Sequence, residues 1–112
     1  MENLNNDIFT AFQNLGVAKW HLAKLAGYKD YSLSRLLRDD FDQWDFATRM
    51  KFYIAFELAD RNKGNIADFV AIEAEQLQAE RTKQRSAVKA EIDSNGEDNY
   101  RNKWHEWALS NL

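Results

Sequence analysis

The chain has 112 residues, which is the length of one domain, or of one small domain with an extension, and which excludes a large two-domain enzyme. Of these residues 45% are hydrophobic and 13% aromatic, a composition that excludes a disordered chain. The absence of cysteine excludes a disulfide scaffold, a Cys-ligated metal site and a thiol nucleophile, and the absence of proline with only four glycines predicts an all-α protein, because turns between strands use those two residues heavily. The net charge of −3 does not by itself favour a nucleic-acid partner, so the distribution of charge along the chain has to be considered.

The first part of the chain predicts three short helices separated by glycines. Apolar residues at helical spacing precede Gly16, and a second apolar-rich segment runs from Val17 to Ala26, where Gly27 ends it. Asp30 is suited to cap a third helix, over about residues 30–39. That helix is predicted to be amphipathic, with Leu33, Leu36 and Leu37 on one face and Ser34, Arg35 and Arg38 on the other.

The second part predicts longer helices. A helix over about 42–60 has apolar residues on most sides, so we expect it to be the most buried element. Another is predicted over about 66–93, with an exposed polar middle and a soft boundary between residues 78 and 86. The last helix, over 97–112, carries an apolar face at spacings of three and four that includes Tyr100, Trp104, Trp107 and Leu112.

No segment has the character of a membrane span or of an export signal. No apolar run approaches the roughly 18 residues that a spanning helix needs. Residues 1–10 lack the basic region and the small-residue cleavage site of a signal peptide. We therefore expect a cytoplasmic protein with no membrane partner.

Basic residues are concentrated in two segments. Residues 17–38 contain five basic residues against one aspartate, a local charge of +4, and residues 81–91 contain four against one glutamate, a local charge of +3. Residues 39–48, by contrast, contain four aspartates and no basic residue. The total of −3 is therefore the sum of basic and acidic segments, and it does not exclude DNA binding.

The spacing around Gly27 is typical of a helix-turn-helix motif. Such a motif joins two helices through a short turn that begins with glycine, and close contact between the helices needs a small residue before the turn and apolar residues after it. Ala23 lies four places before Gly27, and Leu33 and Leu36 lie six and nine places after it. These residues predict a steeply crossed pair of helices.

The wider run, LGVAKWHLAKLAGYKDYSLSRLLR at residues 15–38, resembles the small helix-turn-helix regulators of the Cro/repressor (XRE-like) superfamily of bacteria and their phages. The residues that carry the resemblance are Gly16, Val17, Trp20, Leu22, Ala23, Gly27, Leu33, Ser34, Arg35, Leu37 and Arg38. The resemblance implies a lambda-repressor-like head at residues 1–64, and nothing after Asn65 contributes to it. Residues 65–112 are then a helical extension that is a candidate for dimerisation or partner binding.

The resemblance also implies which residues contact DNA. It places the helix at 30–39 in the major groove, with base contacts from Asp30, Tyr31, Ser34 and Arg35. Arginine suits that role because its guanidinium can make a bidentate pair with guanine. Phosphate contacts are implied for Lys19, Lys29 and Arg38.

Two other groups of residues are better explained by structure than by chemistry. The clustered aspartates lack the glycine and the distal glutamate of a calcium loop, so we interpret them as helix-capping groups and expect no metal: Asp39, Asp40, Asp42 and Asp45. His21 has no acidic partner at helical spacing and no serine nucleophile, so we interpret it as a helix-surface residue. His105 lies between Trp104 and Trp107 on a helix whose apolar face is already assigned. We therefore expect neither an enzyme nor a cofactor.

The role of two C-terminal features, the aromatic face of the last helix and the basic residues at 81–89, is left open by the sequence. The face of Tyr100, Trp104, Trp107 and Leu112 either packs on another helix of the same chain or forms an interface with a partner. The favoured partner is a second copy, because dimers of such domains bind two half-sites about 34 Å apart. The basic residues at 81–89 either keep an exposed helix soluble, or extend the phosphate contacts or bind RNA.

The function that these features predict is sequence-specific binding of double-stranded DNA for transcriptional regulation, as a repressor type of protein. The resemblance favours a phage or mobile-element setting. The alternative is a phage-encoded inhibitor, of the anti-CRISPR kind or directed at another host defence, that uses a helix-turn-helix scaffold to bind a protein partner. The acidic total charge, the aspartate cluster and the aromatic C-terminal helix all suit that alternative.

Overall fold

The computed structural model describes residues 4–28, 35–36, 38–39 and 41–112. The described part of the chain is helical and contains no strand, which confirms the all-α prediction. The α-helices are α1 (Leu4–Asn14), α2 (Lys19–Ala26), α3 (Phe46–Asn62), α4 (Ile66–Val70), α5 (Ala74–Asn95) and α6 (Glu97–Ser110). Single turns of 3-10 helix at Phe41–Gln43 and Lys63–Asn65 precede α3 and α4.

The first two helices end at glycines as predicted. Gly16 and Gly27 have φ angles of 87° and 88°, a left-handed conformation that side chains with a Cβ rarely adopt. At the end of α2 the N–H of Gly27 donates to Lys24 and that of Tyr28 donates to Ala23, over 3.1 and 2.8 Å. These paired bonds satisfy carbonyl groups that the helix leaves free and turn the chain sharply.

The central helix is α3, and it is buried on most of its circumference, as its apolar pattern predicts. Phe52, Tyr53, Ala55, Phe56 and Leu58 are each at most 1% exposed. They pack against α1, α2, α5 and α6, which surround α3 and form one hydrophobic core with it. Burial of this many large side chains is the main source of stability in a domain of this size.

α3 begins later than its sequence predicts. The chain makes a 3-10 turn at Phe41–Gln43, and Asp45 then caps α3 by accepting a hydrogen bond from the Thr48 N–H over 2.8 Å. The turn is held in place because Phe41 and Trp44 are both buried in the core. An apolar periodicity alone cannot separate such a turn from the first turn of a helix.

The predicted helix over 66–93 is two helices. Ala71, Ile72 and Glu73 interrupt it, since the N–H groups of Ala71 and Ile72 bond three residues back, to Asp68 and Phe69, and Glu73 has an extended conformation. This turn contains neither glycine nor proline, so the sequence carries no obvious signal for it. Beyond it, α5 is continuous through residues 78–86.

The C-terminal helix α6 packs on the N-terminal part of the chain. Tyr100 and Trp104 are 2% and 3% exposed, and their rings lie against Tyr53, Phe12 and Phe56 at centroid distances between 4.9 and 6.2 Å. The extension and the predicted head therefore share a single core. None of the described helices combines the length and the apolar character that a membrane crossing requires.

Candidate nucleic-acid interface

One face of α2 is buried in the core and the other is basic and exposed. Leu22, Ala23, Leu25 and Ala26 are at most 4% exposed. The other face carries Lys19, Trp20 and Lys24, and Trp20 is 48% exposed. Lys19, which the resemblance assigns to a phosphate, is thus accessible at the first turn of α2. Ala23 has the small, covered side chain that a helix-turn-helix motif needs at this position.

The turn after α2 is supported by α3. The ring of Tyr28 stacks on that of Phe52, with centroids 5.6 Å apart and planes at 12°. The Lys51 ammonium lies 4.9 Å from the centroid of the Tyr28 ring, which is within cation–π distance. These contacts fix the direction in which the chain leaves Gly27.

The predicted recognition helix is described only at its C-terminal end. Arg35 and Leu36 are helical, and the N–H groups of Arg38 and Asp39 bond three residues back, a pattern typical of a last helical turn. Leu36 is half-buried against the core, as the helix-turn-helix spacing predicts, and its carbonyl accepts a hydrogen bond from the indole N–H of Trp44 over 3.0 Å.

Three of the implied DNA contacts have a described position. Lys19, Arg35 and Arg38 are exposed to solvent. The other implied contacts lie outside the described residues: Lys29, Asp30, Tyr31 and Ser34. The leucine of the motif at position 33 lies outside them as well.

The ion pairs of the described residues divide the cations into two groups. Arg49, Lys63, Lys89, Arg101 and Lys103 each lie within 4 Å of a carboxylate. In the same part of the chain, a second group forms no such pair: Lys19, Lys24, Arg35, Arg38, Lys51, Arg61, Arg81, Lys83 and Arg85. None of these ion pairs involves a cation of α2, so within the described residues the basic charge of α2 has no carboxylate partner.

The ion pair with the shortest N···O distance connects α3 to the first turn of α6. Glu97 accepts two hydrogen bonds from Arg49, over 2.6 and 2.9 Å, and one from the Tyr53 hydroxyl over 2.7 Å. The Arg49 bonds hold the pKa of Glu97 below its usual value. Burial raises the pKa of Tyr53, so its hydroxyl stays protonated and acts as a donor.

The aspartate cluster has structural partners. Asp45 caps α3, and its hydrogen bonds from Thr48 lower its pKa. Asp42 forms an ion pair of 3.0 Å with Arg101 of α6, and Asp40 lies outside the described residues. Over the described ranges, no three histidine, aspartate or glutamate side chains are grouped as a metal site would group them. Capping is thus confirmed at Asp45, whereas Asp42 instead links two helices.

His21 is not on the surface, which corrects its interpretation from the sequence. The side chain is 8% exposed, and its Nδ1 accepts a hydrogen bond from the Ala18 N–H over 2.9 Å. The centroid of its ring also lies 4.0 Å from the ring centroid of Trp20. The histidine satisfies a free N–H at the start of α2, a role that the sequence hides because Ser, Thr, Asp and Asn are the usual caps. Burial lowers its pKa.

The second basic segment is more ordered than its polar composition indicates. Gln84 and Val88 of α5 are buried, and Arg81 donates to the Leu25 carbonyl over 2.7 Å and to the Lys24 carbonyl over 2.5 Å. Arg81 therefore holds the C-terminal end of α2 against α5. No pattern in the sequence points to this contact, because the two residues that it joins are 56 positions apart.

The aromatic face of α6, which is a candidate partner interface in the sequence, packs largely on other helices of the same chain. Tyr100 and Trp104 are buried, and the half-buried Trp107 packs on Phe12 at a centroid distance of 4.5 Å. Of the four residues, only Leu112 is well exposed, at 56%. The three aromatic residues of this face therefore pack within the chain and do not form a free surface for a partner.

The chain was compared with protein-family models, with curated proteins and with solved structures, and none of the three comparisons gave a match.

Proposed function

We propose that the protein binds double-stranded DNA in a sequence-specific way to regulate transcription, with the exposed basic face of α2 and the predicted recognition helix over about residues 30–39 as its contact surface. The observation that carries this proposal is the accessible set of cations without carboxylate partners on that surface: Lys19, Lys24, Arg35 and Arg38. The residue pattern supports it further, since the resemblance to Cro/repressor regulators covers the same segment.

The chemistry of the surface divides into two roles. Lys19 and Arg38 supply charge that phosphates attract, and this part of the affinity falls steeply with salt. Arg35 supplies a planar fork of donors that matches the O6 and N7 atoms of guanine. Sequence preference is therefore expected to depend on Arg35 and total affinity on Lys19 and Arg38.

The experiment is a selection of bound sequences from a random duplex pool, carried out with the purified protein at two salt concentrations. Enrichment of one sequence whose binding weakens with salt supports the proposal. The selected sites also test the proposed homodimer, because a dimer selects two half-sites about 34 Å apart. Absence of enrichment, with no salt-dependent duplex binding, contradicts the DNA function.

The Arg35→Ala variant tests the recognition role on the selected duplex. We expect a loss of about 1–3 kcal/mol in binding free energy and a relaxed preference at one base position, measured by fluorescence anisotropy with matched and substituted duplexes. Lys19→Ala should weaken binding to all sequences alike. Lys89→Ala is the control, because Lys89 is paired with Asp93 on an exposed part of α5. Unchanged affinity and preference in Arg35→Ala would rule out its base contact.

A second candidate function, inhibition of another protein, is favoured by one observation. Trp20 is 48% exposed beside Lys19, and exposed tryptophans flanked by cations are frequent anchors of protein interfaces. If the duplex selection yields nothing, Trp20→Ala should abolish capture of the protein partner while leaving the fold intact. The two candidates therefore give opposite outcomes in the same selection.

A further inference from the structure

A cleft of about 250 Å³ lies at the C-terminal end of α2, between α3 and α5. Lys51 of α3 and Arg81 and Arg85 of α5 line it, together with the amide of Gln78 and the hydroxyl of Thr82. Three cations and two neutral hydrogen-bonding groups thus face one cavity. The cleft lies beside Gly27, but most of its polar lining comes from α5, which is outside the segment that resembles the helix-turn-helix family.

Within the described residues, the three cations of the cleft form no ion pair. No carboxylate is among its lining residues. In residues 4–28, 35–36, 38–39 and 41–112, none of Lys51, Arg81 and Arg85 lies within 4 Å of one. Like charges brought together in this way repel one another, and an anion between them removes that cost.

Arg81 is held in position before any ligand arrives. Its guanidinium donates to the carbonyls of Lys24 and Leu25 and to the Gln78 amide oxygen, the last over 3.0 Å. These bonds use three of the five N–H donors that a guanidinium carries, and they orient its plane. Because its conformation is already fixed, little side-chain entropy is lost when the remaining donors bind a ligand.

We propose that this cleft is a binding site for a phosphate group. A phosphate carries more than one negative charge and several acceptor oxygens, which suits three converging cations better than a single carboxylate does. The side-chain NH2 of Gln78 offers an additional donor, since the Gln78 amide oxygen is the atom that Arg81 already binds. The proposal does not depend on the DNA function, because a free phosphate compound and the singly charged phosphate diester of a DNA backbone both present anionic oxygens to these cations.

The test is a titration of the isotope-labelled full chain, followed by NMR, with inorganic pyrophosphate at constant ionic strength set by chloride. We expect saturable shifts of the Gly27, Arg81 and Thr82 amides. The double variant Lys51→Gln/Arg85→Gln should weaken this binding at least tenfold, and both residues are exposed, so the fold should be retained. Lys83→Gln is the matched control, since Lys83 is an exposed cation of the same helix that does not line the cleft.

A second arm identifies the source of the phosphate. The same amides are followed with a short duplex in place of pyrophosphate. Saturation by pyrophosphate without DNA assigns the cleft to free phosphate compounds, and shifts of these amides with the duplex alone assign it to the DNA backbone. Shifts that chloride reproduces, or an equal loss in Lys83→Gln, overturn the proposal. Failure of DNA binding leaves the pyrophosphate arm unaffected, so the two proposals fail separately.

Discussion

His21 shows how a single buried side chain connects the start of a helix to pH. Its Nδ1 accepts a hydrogen bond from the Ala18 N–H, so this nitrogen carries no proton and the imidazole ring is neutral. Burial lowers its pKa in the folded protein below 6.5, the usual value for histidine. Between those two pKa values the unfolded chain binds more protons than the folded one, and stability therefore rises with pH across that interval.

We expect the free energy of unfolding to decrease as the pH falls below about 6.5, and to level off once the pH is below the folded pKa of His21. His21→Asn keeps an acceptor near the Ala18 N–H but cannot titrate, so it should flatten this decrease. Urea unfolding at a series of pH values between 7 and 5 measures it. The wild type, measured over the same pH series, is the reference. A slope that is the same in His21→Asn and the wild type would contradict the assignment.

At the scale of elements, the position of α6 depends on the contact between Glu97 and α3. Glu97 is the first residue of α6, and its carboxylate binds both Arg49 and Tyr53. The side chains of Glu97 and Arg49 are only 19% and 17% exposed, so water screens the pair weakly. Because its folded pKa is lowered, Glu97 stabilises the protein above its unfolded pKa, and this contribution is lost as the pH falls through the folded value.

Glu97→Gln should destabilise the protein by about 1.5–3 kcal/mol, the range for hydrogen bonds to charged groups. The matched control is Asp98→Asn, which also removes a negative charge from the first turn of α6, but from a side chain that is 85% exposed. Thermal or urea unfolding compares the two variants. Equal effects would show that the helix terminus, and not the contact with Arg49 and Tyr53, is what matters.

At the scale of the whole molecule, the C-terminal helix is part of the core. Trp104 is 3% exposed and lies against Phe12 of α1 and Phe56 of α3. Residues 1–64 without α6 would expose these rings to water. Residue 64 marks where the resemblance to the helix-turn-helix family stops. Whether residues 1–64 fold on their own can be tested directly.

Trp104→Ala should cost about 3–5 kcal/mol of stability, as for other buried tryptophans, measured by urea unfolding of the full chain. Trp20→Ala removes the same side chain from a position that is 48% exposed and should cost at most about 1 kcal/mol. A fragment of residues 1–64 should be unfolded for the same reason as Trp104→Ala. A stable fragment, or a small effect in Trp104→Ala, would show that the head folds on its own.

The sequence by itself determined the helical class, the ends of α1 and α2, and the burial of α3. These features depend on local causes: the left-handed conformation at Gly16 and Gly27, and the repeat of apolar residues along α3. Local rules could not separate α4 from α5, because the turn at Ala71–Glu73 has no glycine or proline.

Only the tertiary structure decided what the charged and aromatic side chains do. The aromatic face of α6 packs on α1 and α3, and Arg81 binds carbonyls of α2 across 56 residues. The ion pairs of the described residues involve neither the cations of α2 nor those that line the cleft at Lys51, so both surfaces are basic in a protein of net charge −3. Such contacts join residues far apart in the chain, and helical periodicity specifies which face is apolar but not which surface covers it.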